Sequence, residues 1–174
     1  APPAKQGEET AQQEPQHRTA RSLREVARGH AVHSLLLPSS QDLICKNMMC
    51  EHVGSSCACK LSLVLERLPQ LQEMDLSNNK LRFLPESTFQ LTHLMHLNLA
   101  RNHLTTLSPS VQQLTNLAVL DLRDNRITSL PEDALLMLPN LKQIRVAGNP
   151  QEIIEAVQSE KLRAIITTNT TAEE

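Results

Sequence analysis

The chain has 174 residues, enough for one compact domain with a sizeable core. Hydrophobic residues make up 40% of it but aromatic ones only 1%, so aliphatic side chains have to build that core. A net charge of −2 argues against a general polyanion binder, no nucleic acid is expected as partner, and no apolar run of about 18 residues offers a transmembrane segment.

Residues 1–30 form a polar N-terminal extension rich in Gln, Glu, Pro and Arg, with little to bury. Such a segment is disordered alone unless something anchors it. Arg18, Arg21, Arg24 and Arg28 recur at near-helical spacing around Leu23 and Val26, so a short basic helix held by a partner is the alternative. The segment lacks the apolar stretch of a secretory signal. Ala1 in place of Met is read as trimming of Met or as removal of a longer targeting segment. With the arginines, it makes a processed mitochondrial protein one expectation.

Residues 31–67 are an irregular, Cys-containing N-terminal cap. The run "VHSLLLPSS" reads as a buried strand and a turn at Pro38-Ser39-Ser40. All four cysteines follow, and then Leu61, Leu65 and Leu68 fall at i, i+4, i+7, the stripe of a short helix.

Residues 68–150 carry a repeat. Its starts are Leu71, Leu94, Leu117 and Leu141, steps of about 23 residues. The first unit has Leu71, Met74, Leu76, Asn79, Leu81 and Leu84, and the second has Leu94, Leu97, Leu99, Asn102, Leu104 and Leu107. In the third come Leu117, Leu120, Leu122, Asn125, Ile127 and Leu130, and a truncated fourth has Leu141, Ile144, Val146 and Asn149. This L-x-x-L-x-L-x-x-N-x-L pattern closely resembles the leucine-rich repeat family over about residues 60–150. The alternation Met74-x-Leu76 is the period of a strand with one buried face.

The resemblance implies an α/β fold: a short solenoid with a curved parallel sheet on its concave face, a helical or irregular convex side, and caps at both ends. It also implies that Asn79, Asn102, Asn125 and Asn149 form a structural ladder, their amides bonding backbone groups of neighbouring coils that would otherwise be buried unpaired.

Residues 151–166 read as a capping helix of about four turns. Asn149, Pro150 and Glu152 fit N-cap, first helical position and capping-box acid, and Ile153, Ile154, Val157, Leu162, Ile165 and Ile166 supply the apolar stripe. Residues 167–174 are a polar tail. Its glycosylation triplet at Asn169 is discounted, because such triplets arise often by chance.

Cys45, Cys50, Cys57 and Cys59 leave three readings open. Reduced, mostly buried thiols lead. One or two disulfides are the second, as in the N-terminal cap of extracellular family members, although there the closely spaced C-x-C pair comes earlier. A zinc site is the third, with His52 as a spare ligand, although paired C-x2-C knuckles are missing. Apart from that zinc, no cofactor is expected.

His30, His33, His52, His93, His96 and His103 have no regular metal-binding spacing. The four glycines form no phosphate loop, and no nucleophile elbow or H-E-x-x-H is present. No catalytic residue is assigned, and the family's members are overwhelmingly non-catalytic binding scaffolds.

The repeat register places Asp75, Asn98, Asp121 and Arg145 in a central outward column on the concave face. With Glu73, Met95, His96, Val119 and Arg123 they are the candidate partner-binding residues. The column is acidic over most of its length and basic at its C-terminal end. It suits a protein segment with Arg or Lys near the first units and an acid near the last. The expected contact is extended and polar, supplemented by the N-terminal extension.

The expected function is therefore a non-catalytic protein–protein scaffold, an accessory or structural subunit of a larger intracellular assembly, mitochondrial or cytosolic. Two alternatives stay open: a regulatory adaptor of a single cytosolic enzyme, and a secreted or surface recognition protein with a disulfide-bonded cap.

Overall fold

A computed structural model describes residues 17–26, 31–45, 48–51, 54–55 and 57–168. Among these, seven strands form one parallel sheet in chain order: β1 (Thr19–Ala20), β2 (Ser34–Leu36), β3 (Glu73–Asp75), β4 (His96–Asn98), β5 (Val119–Asp121), β6 (Gln143–Arg145) and β7 (Ile166–Thr167). The curved, open sheet is the solenoid that the repeat spacing predicts.

Each central strand is three residues long because it contributes one inward side chain per coil. Leu35, Met74, Leu97, Leu120 and Ile144 stand in one register row and are buried. Two residues on, Leu37, Leu76, Leu99, Leu122 and Val146 point inward again, as strand alternation requires. The chain then leaves the sheet through a left-handed residue in every coil: Ser39, Asn78, Arg101, Asp124 and Gly148, with φ between 51° and 78°. Gly148 suits the last of these, where its φ is 78° and a Cβ would approach the Asp124 backbone N to 3.1 Å and crowd the Asp124 carboxylate.

The convex side returns through short 3₁₀ segments at Glu86–Gln90 and Pro109–Gln113 and through helix α3 (Glu132–Leu136). Phe89, Val111 and Leu135 close the core there. On the N-terminal side, α2 (Cys59–Leu65) buries Leu61 and Leu65, with Leu68 just beyond its end.

The solenoid starts earlier than the sequence suggests. Val32, Leu35, Leu37 and Ser40 occupy the places of Leu71, Met74, Leu76 and Asn79, so residues 31–45 hold a true coil rather than an irregular cap. Ser40 stands where an asparagine is expected, and its N–H donates to Asn79 Oδ1 at 2.7 Å. The polar extension is also shorter than 1–30. Thr19 and Ala20 pair with Ser34 and Leu35, and helix α1 (Leu23–Val26) sinks Leu23 and Val26 into the chain's own core. Asp42 Oδ2 accepts from the Leu23 N–H at 2.9 Å and fixes the start of that helix. Arg18, Arg21 and Arg24 remain exposed. Residues 1–16, Arg28 and His30 lie outside the described residues.

The C-terminal cap differs too. Two short helices, α4 (Glu152–Glu155) and α5 (Glu160–Ile165), replace the single four-turn helix, and the chain then adds β7 to the sheet edge. The break follows from Ser159, whose Oγ accepts from the Leu162 N–H and starts a new helix. Asn149 is not an N-cap, because its amide is already committed to the preceding coils; Gln151 takes that place. Ile153, Val157 and Leu162 cover the last coil, while Ile154 faces solvent. The tail from Asn169 lies outside the described residues.

Candidate functional site

The register brings the outward positions into two columns across the sheet. One runs Ser34, Glu73, His96, Val119, Gln143, and the other Leu36, Asp75, Asn98, Asp121, Arg145. Glu73, Met95 and His96 are exposed, and Asp75, Asn98, Val119, Arg123 and Arg145 are half-buried.

The second column is not simply a contact surface. Asp75, Asn98 and Asp121 each turn Oδ1 back onto the backbone N–H two residues ahead, at 2.8, 3.0 and 3.1 Å. These bonds shape the exit from the strand before the left-handed residue. An acidic or amide side chain is therefore needed there for folding as well as for any partner.

Asp121 departs furthest from expectation, with only 5% of its surface exposed. Arg123 Nε and Nη2 donate to its two oxygens at 2.9 and 2.7 Å, and Arg145 Nη1 lies 3.9 Å away. The Asp121 hydrogen bonds hold the Arg123 guanidinium above its usual range despite partial burial. The column is thus not acidic over most of its length. Within the two columns, open negative charge stays with Glu73 and Asp75, because the arginines that flank Asp121 cover it; beside them, Asp124 at the strand exit is also exposed. Asp121→Ala is expected to cost about 1–3 kcal/mol, since it strands Arg123 and an N–H. Asp75→Asn keeps the acceptor and should stay within about 0.5 kcal/mol of the unaltered chain. Urea titrations of the two variants check this, and coincident curves would contradict the role given to Asp121.

Beyond the strands' C-terminal ends the face opens into a groove of about 430 Å³. Asn78, Asn98, Arg101, Arg123 and Asp124 give it polar walls, and Ala100 and Ala147 give it small ones. Arg101 and Asp124 approach to 3.8 Å with both side chains largely exposed, a contact worth little in water. Of the nine candidate contact residues, Asn98 and Arg123 reach this groove. Asn78, Arg101 and Asp124 were not among them, although their place just before each ladder asparagine marks them in the sequence.

At the other edge, β1 adds residues missed altogether. Ser34 Oγ donates to Glu73 Oε2 at 3.2 Å and lies 2.9 Å from His17 Nε2. The His17 ring stands edge-on to His33 at 5.4 Å, and His33 Nδ1 accepts from the Arg18 N–H. Ser, His and Glu here do not form a nucleophile–base relay. The carboxylate bonds the serine rather than the imidazole, so it does not orient a base as the acid of a triad does. The set ties the first coils together.

The ladder amides bond coil to coil. Asn102 Nδ2 donates to Leu76 and Leu99 carbonyls, and its Oδ1 accepts from Asn79 and Leu81 N–H groups, all at 3.0 Å. Asn79, Asn125 and Asn149 repeat the arrangement.

The four cysteines converge. Cys45 and Cys59 sulfurs lie 3.6 Å apart, Cys50 and Cys57 sulfurs 3.5 Å, and all four lie within 4.8 Å of one another. Burial pushes the Cys57 thiol up to about 12, against the Cys59 N–H that lowers it. His52 lies outside the described residues. Nearby, partial burial holds His103 below its usual range, aided by Arg126, Arg82 and Lys80.

Known proteins can now be set beside this geometry. The family described as Leucine rich repeat matches residues 69–113, and that described as Leucine Rich repeats (2 copies) matches residues 115–158. No curated protein matches the chain. A solved leucine-rich repeat protein of Leptospira interrogans is 24% identical with a TM-score of 0.49; the match covers 79% of this chain and 30% of that one. Among the described residues no helix is long and apolar enough to cross a membrane. Leucine-rich repeat domains generally mediate protein–protein interaction and are typically non-catalytic. On the phased repeats, the parallel sheet and the two family matches, this chain belongs to the leucine-rich repeat proteins.

Proposed function

We propose that the chain is a non-catalytic scaffold, an accessory subunit that grips another protein of a larger intracellular assembly across its concave face. The observation that supports this most is the charge layout of the groove and columns. Glu73 and Asp75 leave negative charge at the N-terminal coils, whereas Arg101, Lys142 and Arg145 present positive charge toward the C-terminal ones. Such a surface suits an extended segment that is basic at one end and acidic at the other. Small side chains line its floor, and Met95 and Val119 offer a modest apolar footing. Arg18, Arg21 and Arg24 on the first coil give a second contact.

The test is crosslinking mass spectrometry on the endogenous complex, followed by charge reversal. Lys142 and Lys80 should crosslink to one partner. Glu73→Lys combined with Lys142→Glu should weaken that partner about tenfold or more, by about 1.4 kcal/mol or above, while the repeats keep their circular dichroism. Unaltered affinity would move the interface away from the concave face.

A further inference from the structure

We propose that Cys45, Cys50, Cys57 and Cys59 bind one zinc ion as a tetrahedral tetrathiolate that staples the long second coil. The coil from β2 to β3 spans 39 residues where the regular step is 23, and the four cysteines bracket the excess, from Cys45 at the end of the regular coil to Cys59 at the start of α2.

Apolar burial does not hold this excess in place. Among its described residues between Cys45 and Cys57, Met48 and Met49 are exposed, as are Glu51, Gly54 and Ser55. Backbone bonds pin its base: Cys45 N–H to Ser55 O, Gly54 N–H to Cys45 O and Cys57 N–H to Leu43 O. Cys50 is half-buried, and its sulfur lies 3.5 Å from the Cys57 sulfur, so the loop tip turns inward toward the other thiols.

The sulfur geometry selects one ion. With a zinc–sulfur bond of about 2.3 Å, the edges of a regular tetrahedron are about 3.8 Å. Separations of 3.6 and 3.5 Å for Cys45–Cys59 and Cys50–Cys57, and the outer limit of 4.8 Å, bracket that edge. Two disulfides, Cys45–Cys59 and Cys50–Cys57, would each need sulfurs about 2.0 Å apart and give the two pairs no reason to meet. These pairs instead stand at 3.6 and 3.5 Å, and all four sulfurs gather within 4.8 Å. An iron–sulfur cluster spreads its thiolates over several irons, and this set is too tight for one. The Cys59 N–H donates to the Cys57 sulfur at 3.4 Å, a bond that favours a ligating thiolate. Cationic side chains border the site on both sides: Lys60 in the cleft shared with Cys45, Cys57 and Cys59, and Lys80 and Arg82 in the cleft shared with Cys57. Set against the Asp42 carboxylate in the first cleft, these three cations leave a net positive surrounding for the two negative charges of a zinc tetrathiolate.

The full chain, expressed with zinc and purified under reductant, is expected to retain one zinc per chain by elemental mass spectrometry. Cobalt(II) in its place should give the intense visible absorption of a tetrahedral tetrathiolate, and the four thiols should resist alkylation until a chelator is added. Cys50→Ser alters only the loop tip. It should weaken zinc binding by at least about a hundredfold, the upper end of what losing a mere supporting partner costs, while the repeats keep their circular dichroism. Cys59→Ser, on the first turn of α2, serves as an independent second variant with the same expectation. Four thiols alkylated at full rate in the presence of zinc would overturn the proposal. So would a metal-free folded chain whose mass is short of two or four hydrogens through disulfide formation.

Discussion

Asn102→Ala is expected to cost on the order of 4 kcal/mol, close to the whole stability of a small domain. The side chain is 3% exposed and makes four bonds at 3.0 Å, two as donor and two as acceptor, to backbone groups of two coils. Alanine leaves the Asn79 and Leu81 N–H groups and the Leu76 and Leu99 carbonyls without the amide, and one replacement water restores these bonds only in part. Each stranded buried group costs about 1–3 kcal/mol, and partial relaxation keeps the total below their sum. Asn116→Ala is the matched control. Its amide makes one exposed bond to Thr92 O, and its loss should cost under about 1 kcal/mol. Urea denaturation followed by far-ultraviolet circular dichroism separates the two. Similar midpoints would remove the ladder from the account of what holds the coils together.

Leu99→Ala should lower stability by about 2–5 kcal/mol. Leu99 is fully buried and belongs to the inner row that includes Leu76 and Leu122. The lost area is only part of the effect. In a solenoid each coil packs on its neighbours, so a cavity in a central coil weakens two interfaces together. Leu63→Ala, at a position 67% exposed, should change stability by less than about 1 kcal/mol. Equal midpoints for these two variants would mean that the inward register is misassigned.

Much of the solenoid was legible because its physics is periodic. One inward side chain per short strand, a second two residues on and an amide three further on leave a spacing that survives any choice among Leu, Met, Ile and Val. The earlier coils were legible only in part: the buried strand and turn of residues 31–40 could be read, but not their place in the repeat. Ala20 and Ser40 stand where a large aliphatic residue and an asparagine mark the other coils, and the 39-residue step hides the period. The single capping helix failed for a different reason. Asn-Pro-x-Glu satisfies a local helix-start signal, but the Asn149 amide is claimed by Ile127 N–H and by the Leu122 and Val146 carbonyls. A partner 27 residues away outweighed the neighbour three residues on.

The candidate site divides the same way. That Asp75, Asn98, Asp121 and Arg145 share a column follows from the repeat register, and the structure places them so. Their different exposure does not follow from it. Asp75 is half-open and Asp121 nearly closed because Arg123 folds back onto Asp121 and β6 brings Arg145 beside it, whereas neither flank of Asp75 supplies an arginine.

The sequence by itself determined the repeat unit, its inward and outward faces and the family to which the chain belongs, since these depend on periods of a few residues and on side-chain polarity. The tertiary structure decided where the solenoid begins and ends, which charges on the concave face stay open, and that four cysteines with unremarkable spacing meet at one point. Those outcomes depend on contacts between residues far apart in the chain, which become neighbours only when the coils stack.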